Sequence, residues 1–243
     1  MRKPDKRPNP VERHPLNRGF AGPFEIGWGG LGQIFPGLDR EAVHLETPPR
    51  VEDGGVSLKE LALIAAIARW LQPRRVLEIG TFQGWTTHNI ALQLTARAEV
   101  VTVDLPLHAI PRLGSDGWNE KYLPSRGRRP VFVEKPTRSR IRRIEGDTAE
   151  LEAREVGQDF EMIFIDGAHS AAYLENDTSL ALAVAAPSCV ILWHDYAKPR
   201  RWPAVTGFLH SISIERQLFP LFWLHHQVEN LDTSLVLYVR SDD

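Results

Sequence analysis

RVLEIGTFQGWTT, residues 75–87, is the stretch on which the fold turns. Its first half, RVLEIG (75–80), is a short apolar run ending in glycine, the pattern of a strand buried on both faces of a parallel sheet. Gly80 permits a tight turn with the backbone close to a ligand, and Gly84 lets the following helix approach. That helix, read over Thr86 to Thr95, offers its first N–H groups to a carboxylate. The spacing is G-x-x-x-G behind an acid, Glu78, and not the G-x-G-x-x-G of dinucleotide sites. A pyrophosphate disfavours an acidic neighbour, whereas a ligand carrying an ammonium and a sulfonium tolerates one. A plain strand–turn–helix without a ligand is the competing reading of this stretch alone.

Working outward, Ser57 and Glu60 form a capping box, and Leu58, Leu61, Ile64, Ala65, Ile67, Ala68 and Leu71 recur at helical spacing until Pro73 stops the helix. Downstream, EVVTVDL (99–105), RIRRIEGD (140–147), FEMIFID (160–166) and Cys189 to Trp193 read as further strands. Helical stretches are predicted at Ser170 to Ala186 and Ala204 to Arg216, and FPLFWLHHQ with TSLVLYVR as a closing hairpin pair. Strands alternating with helices imply an α/β fold, a parallel sheet covered by helices on both faces. In such sheets ligands sit beyond the carboxyl ends of the strands. Chemistry is therefore sought just after each one.

After the second strand stands Asp104, about 20 residues beyond the glycine turn, where a carboxylate accepts hydrogen bonds from two ribose hydroxyls. After the third comes Gly146-Asp147-Thr148, suited to an adenine amino group or, equally, to a helix N-cap. Asp166 and His169 follow the fourth strand; His194, Asp195 and Tyr196 follow the fifth. Two carboxylates and two imidazoles at adjacent strand ends suit a hard divalent ion such as Mg²⁺, or a histidine general base with a pKa near 6.5.

Taken in order, RVLEIGTFQGWTT, VVTVDLP, IEGDT, FIDGAHSAAYLENDTSLAL, ILWHDY and TSLVLYVR resemble the class I S-adenosylmethionine-dependent methyltransferases, in the small-molecule O-methyltransferase-like branch with D-G-x-H and H-D-Y signatures. The resemblance covers about residues 57–240. It implies a Rossmann-like seven-stranded sheet of order 3-2-1-4-5-7-6 with an antiparallel last strand. It also implies that Glu78, Gly80, Thr81 and Gly84 hold the methionine part of S-adenosylmethionine, Asp104 the ribose, and Asp147 and Thr148 the adenine. Asp166 would then lie beside the methyl donor. Relatives that bind Mg²⁺ do so through two aspartates and an amide side chain. Asp166 and Asp195 match the aspartates, but Tyr196 stands in place of the amide. The implied activity is methylation of a small-molecule hydroxyl, with His194, His169 and Asp166 as the catalytic group.

Two domains are read, an N-terminal arm and candidate substrate lid over 1–55, partly disordered, and the methyltransferase domain over 56–243. GWGGLG (27–32) matches G-x-G-x-x-G literally, but no strand precedes it and Pro36 interrupts the helix that should follow. It is read as a flexible segment, with Trp28 and Phe35 as lid residues in the alternative. Eight arginines and lysines lie between Arg126 and Arg143; a solvated loop is the plain reading, an anionic substrate the next and RNA the last. A net charge of -2 excludes a generally basic, nucleic-acid-binding molecule. The single cysteine, Cys189, lies in an apolar run and reads as a buried hydrophobe in a reducing compartment. No run approaches the ~20 apolar residues of a membrane span, and a cytoplasmic enzyme, free to form a homo-oligomer, is expected. The rival classes are an RNA methyltransferase using the 126–143 loop, an NAD-dependent dehydrogenase, and a non-catalytic binding protein on the same fold.

Overall fold

The structure is a computed structural model that describes residues 24–25, 28–47, 54–114, 129–196, 202–212, 222–223 and 234–241. Strand β1 is Phe24–Glu25, β2 Arg75–Ile79, β3 Glu99–Asp104, β4 Ile141–Glu145, β5 Phe160–Ile165, β6 Ala185–Trp193, β7 Phe222–Trp223 and β8 Val236–Ser241. All eight join one sheet in the order β1-β7-β8-β6-β5-β2-β3-β4. Strands β4, β3, β2, β5 and β6 run parallel, and β8 reverses against β6 from Ser188↔Ser241 to Trp193↔Val236. The expected order, with its antiparallel last strand, is therefore present across seven strands. The eighth, β1, pairs outside β7 and is two residues long.

Alternate residues of each central strand feed opposite cores, as the period of two requires. Val76, Val100, Met162, Phe164, Val190 and Leu192 face one side, against helix α2 (Leu58–Leu71) and helix α3 (Trp85–Gln93). Leu77, Ile79, Val101, Val103, Ile163 and Ile165 face the other, with Ile191. There they meet the short helix α4 (Ala153–Val156), then α5 (Ala171–Val184) and α6 (Pro203–His210). Cys189 is buried in this second core, and burial pushes its thiol pKa up, which makes it inert. Helix α5 stops two residues short of the expected end. Pro187 is accommodated in β6 because pairing with β8 begins only at Ser188.

The reading of residues 27–32 as a flexible segment is corrected. Residues Trp28–Ile34 form helix α1, and Leu31, Ile34, Phe35 and Leu38 enter the same core as Leu63, Ile64 and Ile67. Their spacing is helical; the glycines among them hid it. Phe35, the alternative lid residue, is fully buried and meets Trp70 edge-on at 5.3 Å, while Trp70 Nε1 donates to Pro36 O at 2.9 Å. The glycines at 29 and 32 thus lie within a helix, although, against expectation, a two-residue strand, β1, precedes it. The next segment is strapped to α3: Asn89 exchanges hydrogen bonds with both backbone groups of Glu46, and Gln93 Nε2 donates to His44 O at 2.7 Å. Trp28's side chain lies outside the described residues, as do Trp118 and residues 1–23.

Candidate active site

Gly80 ends β2 at φ +97°, and its N–H donates to Val103 O at 2.8 Å. A Cβ here would stand 2.1 Å from the Asp166 carbonyl oxygen, so no other residue fits. Gly80→Ala adds a left-handed backbone to this clash, and is expected to cost more than ~3 kcal/mol, a fall in Tm of about 10 °C by thermal unfolding. The turn closes through Gly84 N–H to Thr81 O at 2.8 Å, and Gly84, at φ +76°, begins α3 against the Phe132 ring. Phe82, itself at φ +48°, donates its N–H to Asp104 Oδ2 at 3.1 Å. The strand-end acid therefore fixes the turn as well as facing the crevice.

Glu78 is fully buried below this turn. Its Oε2 accepts from Thr87 Oγ1 and, at 2.6 Å, from Thr102 Oγ1, whereas Oε1 has no hydrogen-bond partner among the described residues. Burial pushes its pKa up to about 8, against the two threonine donors, and the charges of Asp166 and Asp104 add to the rise. Thr81 turns its hydroxyl to Thr102 Oγ1 at 2.6 Å.

Two hollows meet at Gly80. The larger, of about 160 Å³, is walled by residues 80–86, by Asp166, and by Thr47, Val56, Leu58 and Leu61. The smaller, of about 40 Å³, lies against Asp104, Gly146, Asp147, Thr148, Tyr173 and Asp177. Asp147 accepts from Ala149 N–H at 2.9 Å, from Arg112 N–H at 2.8 Å and from Tyr173 Oη at 2.7 Å, so it caps the turn after β4 and ties down the 105–114 loop. Thr148 Oγ1 donates to Asp177 Oδ1 at 2.5 Å.

Burial pushes Asp177 up to about 6, despite the donors Thr148 and Asn176. The folded chain thus holds this proton more tightly than an unfolded one, whose carboxyl titrates near ~4. Below pH ~4 the group costs nothing; as pH rises through ~6 the fold loses about 3 kcal/mol. Asp177→Asn keeps the acceptor oxygen and removes the charge. Thermal melts should show a flatter fall between pH 4 and 6 and a Tm several degrees higher at pH 7.5. An unchanged pH profile would contradict this account of Asp177.

The ends of β5 and β6 bring together Asp166, His169, His194 and Asp195. His169 Nε2 lies 2.8 Å from Asp195 Oδ2, and its ring stacks on Trp202 at 3.6 Å and 7°. Asp166, His169 and Asp195 each offer one ligand atom, and these atoms lie within 4.8 Å of one another. Asp195 sits in the left-handed region at φ +65°, held by its N–H to Ser234 Oγ at 3.2 Å. His194 is placed differently from the expected base. Its Nδ1 faces Asp166 Oδ1 at 2.9 Å and its Nε2 faces Glu60 Oε2 at 3.3 Å. Burial lowers its pKa, but Asp166 and Asp195 outweigh that and raise it well above the ordinary value. With a carboxylate at each nitrogen the ring is engaged on both sides, and it borders neither hollow.

Glu60, Ser234 and Trp202 were not singled out from the sequence. Glu60 was visible as the N3 residue of a capping box, which is present, but its contacts with His194 and Ser234 are not local. Trp85 lines the larger hollow, whereas Trp193 is buried with Nε1 donating to Thr178 Oγ1. The described members of the basic stretch are tied down. Lys135 pairs with Glu46, Arg140 caps the carbonyls of Leu94 and Thr95, and Arg142 meets Glu99 and Val156 O. Arg126 and Arg128 lie outside the described residues.

Residues 77–196, which hold the glycine turn, Asp104, Asp147 and both polar strand ends, match the family model described as a methyltransferase domain. The chain carries a methyltransferase domain over these residues. No curated protein matches it. Among solved structures, the O-methyltransferase TomG from Streptomyces achromogenes, in complex with SAM, is 19% identical with a TM-score of 0.56, covering 79% of this chain and 84% of that one. An O-methyltransferase from Bacillus cereus in complex with SAH is 18% identical at a TM-score of 0.54, covering 78% and 84%. The O-methyltransferase NovP is 13% identical at 0.58, covering 77% and 81%. At such identities the likeness is one of fold. The methyltransferase domain of this chain thus sets its polar groups around the Gly80 turn, at the carboxyl ends of its parallel strands.

Proposed function

We propose that this enzyme transfers the methyl group of S-adenosylmethionine to a hydroxyl oxygen of a small molecule. One observation carries the reading: the Gly80 turn joins a hollow bordered by Asp104, Asp147 and Thr148 to a larger one bordered by Asp166. The first suits an adenosine, its ribose hydroxyls donating to Asp104 and its adenine meeting Asp147 and Thr148. The second suits the amino-acid tail, at the turn of Gly80, Thr81 and Gly84 and the first N–H groups of α3, together with the acceptor. The unpartnered Oε1 of Glu78 fits an ammonium group, which would favour the ionised carboxylate.

The donor supplies an electrophilic methyl group. The protein's tasks are to hold the acceptor oxygen in line and to remove its proton. His169 takes that proton: its ring meets Asp195 Oδ2 through Nε2 at 2.8 Å, so the carboxylate supports the charge gained, and Trp202 fixes the plane of the ring. Asp166, held by His194, presents a carboxylate to the sulfonium side of the larger hollow. A second reading rests on the clustering of Asp166, His169 and Asp195. Two carboxylate oxygens and an imidazole fit a divalent cation, and the nitrogen suits Mn²⁺ or Zn²⁺ better than Mg²⁺. A cation held there would supply Lewis acidity toward the acceptor hydroxyl.

The test is label transfer from methyl-labelled S-adenosylmethionine to a panel of phenols and alcohols, with total RNA in parallel. Label should appear on hydroxyl acceptors with matching S-adenosylhomocysteine. Transfer to RNA alone, weakening steeply with salt, would move the function to the RNA class.

A further inference from the structure

We infer that Glu60 is a positioning residue of the methyl-transfer site, setting both cleft aspartates from behind. The inference rests on the donor site proposed above and adds a residue to it. Glu60 lies in the first turn of α2 and is 4% exposed. A capping-box glutamate ordinarily returns one oxygen to the backbone of its own N-cap, at a helix end open to water. Here Oε2 does so, accepting from Ser57 N–H at 3.2 Å and Ser57 Oγ at 2.7 Å, and it also faces His194 Nε2 at 3.3 Å. The other oxygen reaches the far end of the chain. Oε1 accepts from both N–H and Oγ of Ser234, each at 2.7 Å.

Each oxygen is one side chain away from a cleft carboxylate. Through Oε2, the His194 ring is held so that its Nδ1 meets Asp166 Oδ1 at 2.9 Å. Through Oε1, the Ser234 hydroxyl is oriented to accept from Asp195 N–H at 3.2 Å, at the residue whose φ is +65°. Ser234 O also accepts from Tyr196 N–H at 2.9 Å, so this serine meets two successive backbone N–H groups after β6. Burial works against the charge of Glu60, but His194, Ser234 and Ser57 together hold its carboxyl well below the usual range. A carboxylate at each ring nitrogen holds the imidazole of His194 against rotation. A buried carboxylate that served only to cap α2 would need neither contact.

The readout separating positioning from packing is the ratio of affinities for S-adenosylmethionine and S-adenosylhomocysteine, measured by calorimetry. The two differ by the methyl group and positive charge that Asp166 faces. Glu60→Gln is expected to lower this preference for the charged donor by about tenfold, comparable to Asp166→Asn, and to add no further change when placed on Asp166→Asn. Ser57→Ala, which removes the cap hydroxyl but leaves the Glu60 contacts with His194 and Ser234, should lower Tm and leave the ratio intact. If Glu60→Gln does not fold, His194→Gln cuts the same link while leaving the cap, and should give the same loss. A ratio equal to that of the parent in the folded variant, or an undiminished effect on the Asp166→Asn background, overturns the inference. Failure of the unmodified protein to bind either molecule would instead overturn the donor site itself.

Discussion

Asparagine in place of Asp195 is expected to lower turnover by roughly 10²–10³-fold while leaving S-adenosylmethionine affinity within about twofold, the signature of a lost proton-transfer group. The carboxylate is the hydrogen-bond partner of His169 Nε2 at 2.8 Å and lines neither hollow proposed to hold the donor. Without its charge, the imidazolium formed on proton abstraction is no longer stabilised. Asparagine is the appropriate replacement because it tolerates the left-handed backbone at φ +65° that alanine would strain. Turnover measured after chelation divides the two roles of this cluster. With His169 as base, EDTA leaves the rate unchanged; a loss restored by added Mn²⁺ or Mg²⁺ would assign Asp195 to a cation instead. Full activity in Asp195→Asn would remove it from the chemistry altogether.

Asp104→Ala should act on the other half of the reaction, weakening S-adenosylmethionine binding by about 100-fold. Two hydrogen bonds from ribose hydroxyls to a carboxylate contribute on the order of 1.5 kcal/mol each, and their joint loss corresponds to about two decades of affinity. The effect has a second component, since Asp104 Oδ2 also accepts the N–H of Phe82 and so helps to set the Gly80–Gly84 turn. Asp104→Asn, which keeps an acceptor for Phe82, should lose less. Calorimetric titration of both variants checks the order; equal affinity in Asp104→Ala and the parent would place the ribose elsewhere.

What was legible in the sequence is what local pattern encodes. Apolar runs of strand length ending in glycine or acid marked the parallel strands, and the position of an acid after a strand located Asp104, Asp166 and Asp195 at the carboxyl ends of those strands. The fold brings His169 and Asp195 within hydrogen-bond distance across 26 residues because β5 and β6 are neighbours, which the alternation of strands and helices already implied. Helix α1 was missed because its glycines suggested a flexible segment, although Leu31, Ile34, Phe35 and Leu38 held the helical spacing. The second oxygen of Glu60 was beyond reach for another reason. Its partner Ser234 lies 174 residues away, on a turn whose docking depends on tertiary packing, and no periodicity carries that information. The same is true of His194. Its place in the sequence matched a base, but only the fold brings the three carboxylates Glu60, Asp166 and Asp195 around its ring.

The most direct measurement is a crystal structure of the protein grown with S-adenosylhomocysteine. The account requires the ribose hydroxyls on Asp104, the adenine between Asp147 and Thr148, and the amino-acid tail at the Gly80–Gly84 turn, with the sulfur toward Asp166. Crystals saturated with that molecule in which both hollows around Gly80 stayed empty, or in which it bound away from Asp104, would contradict it.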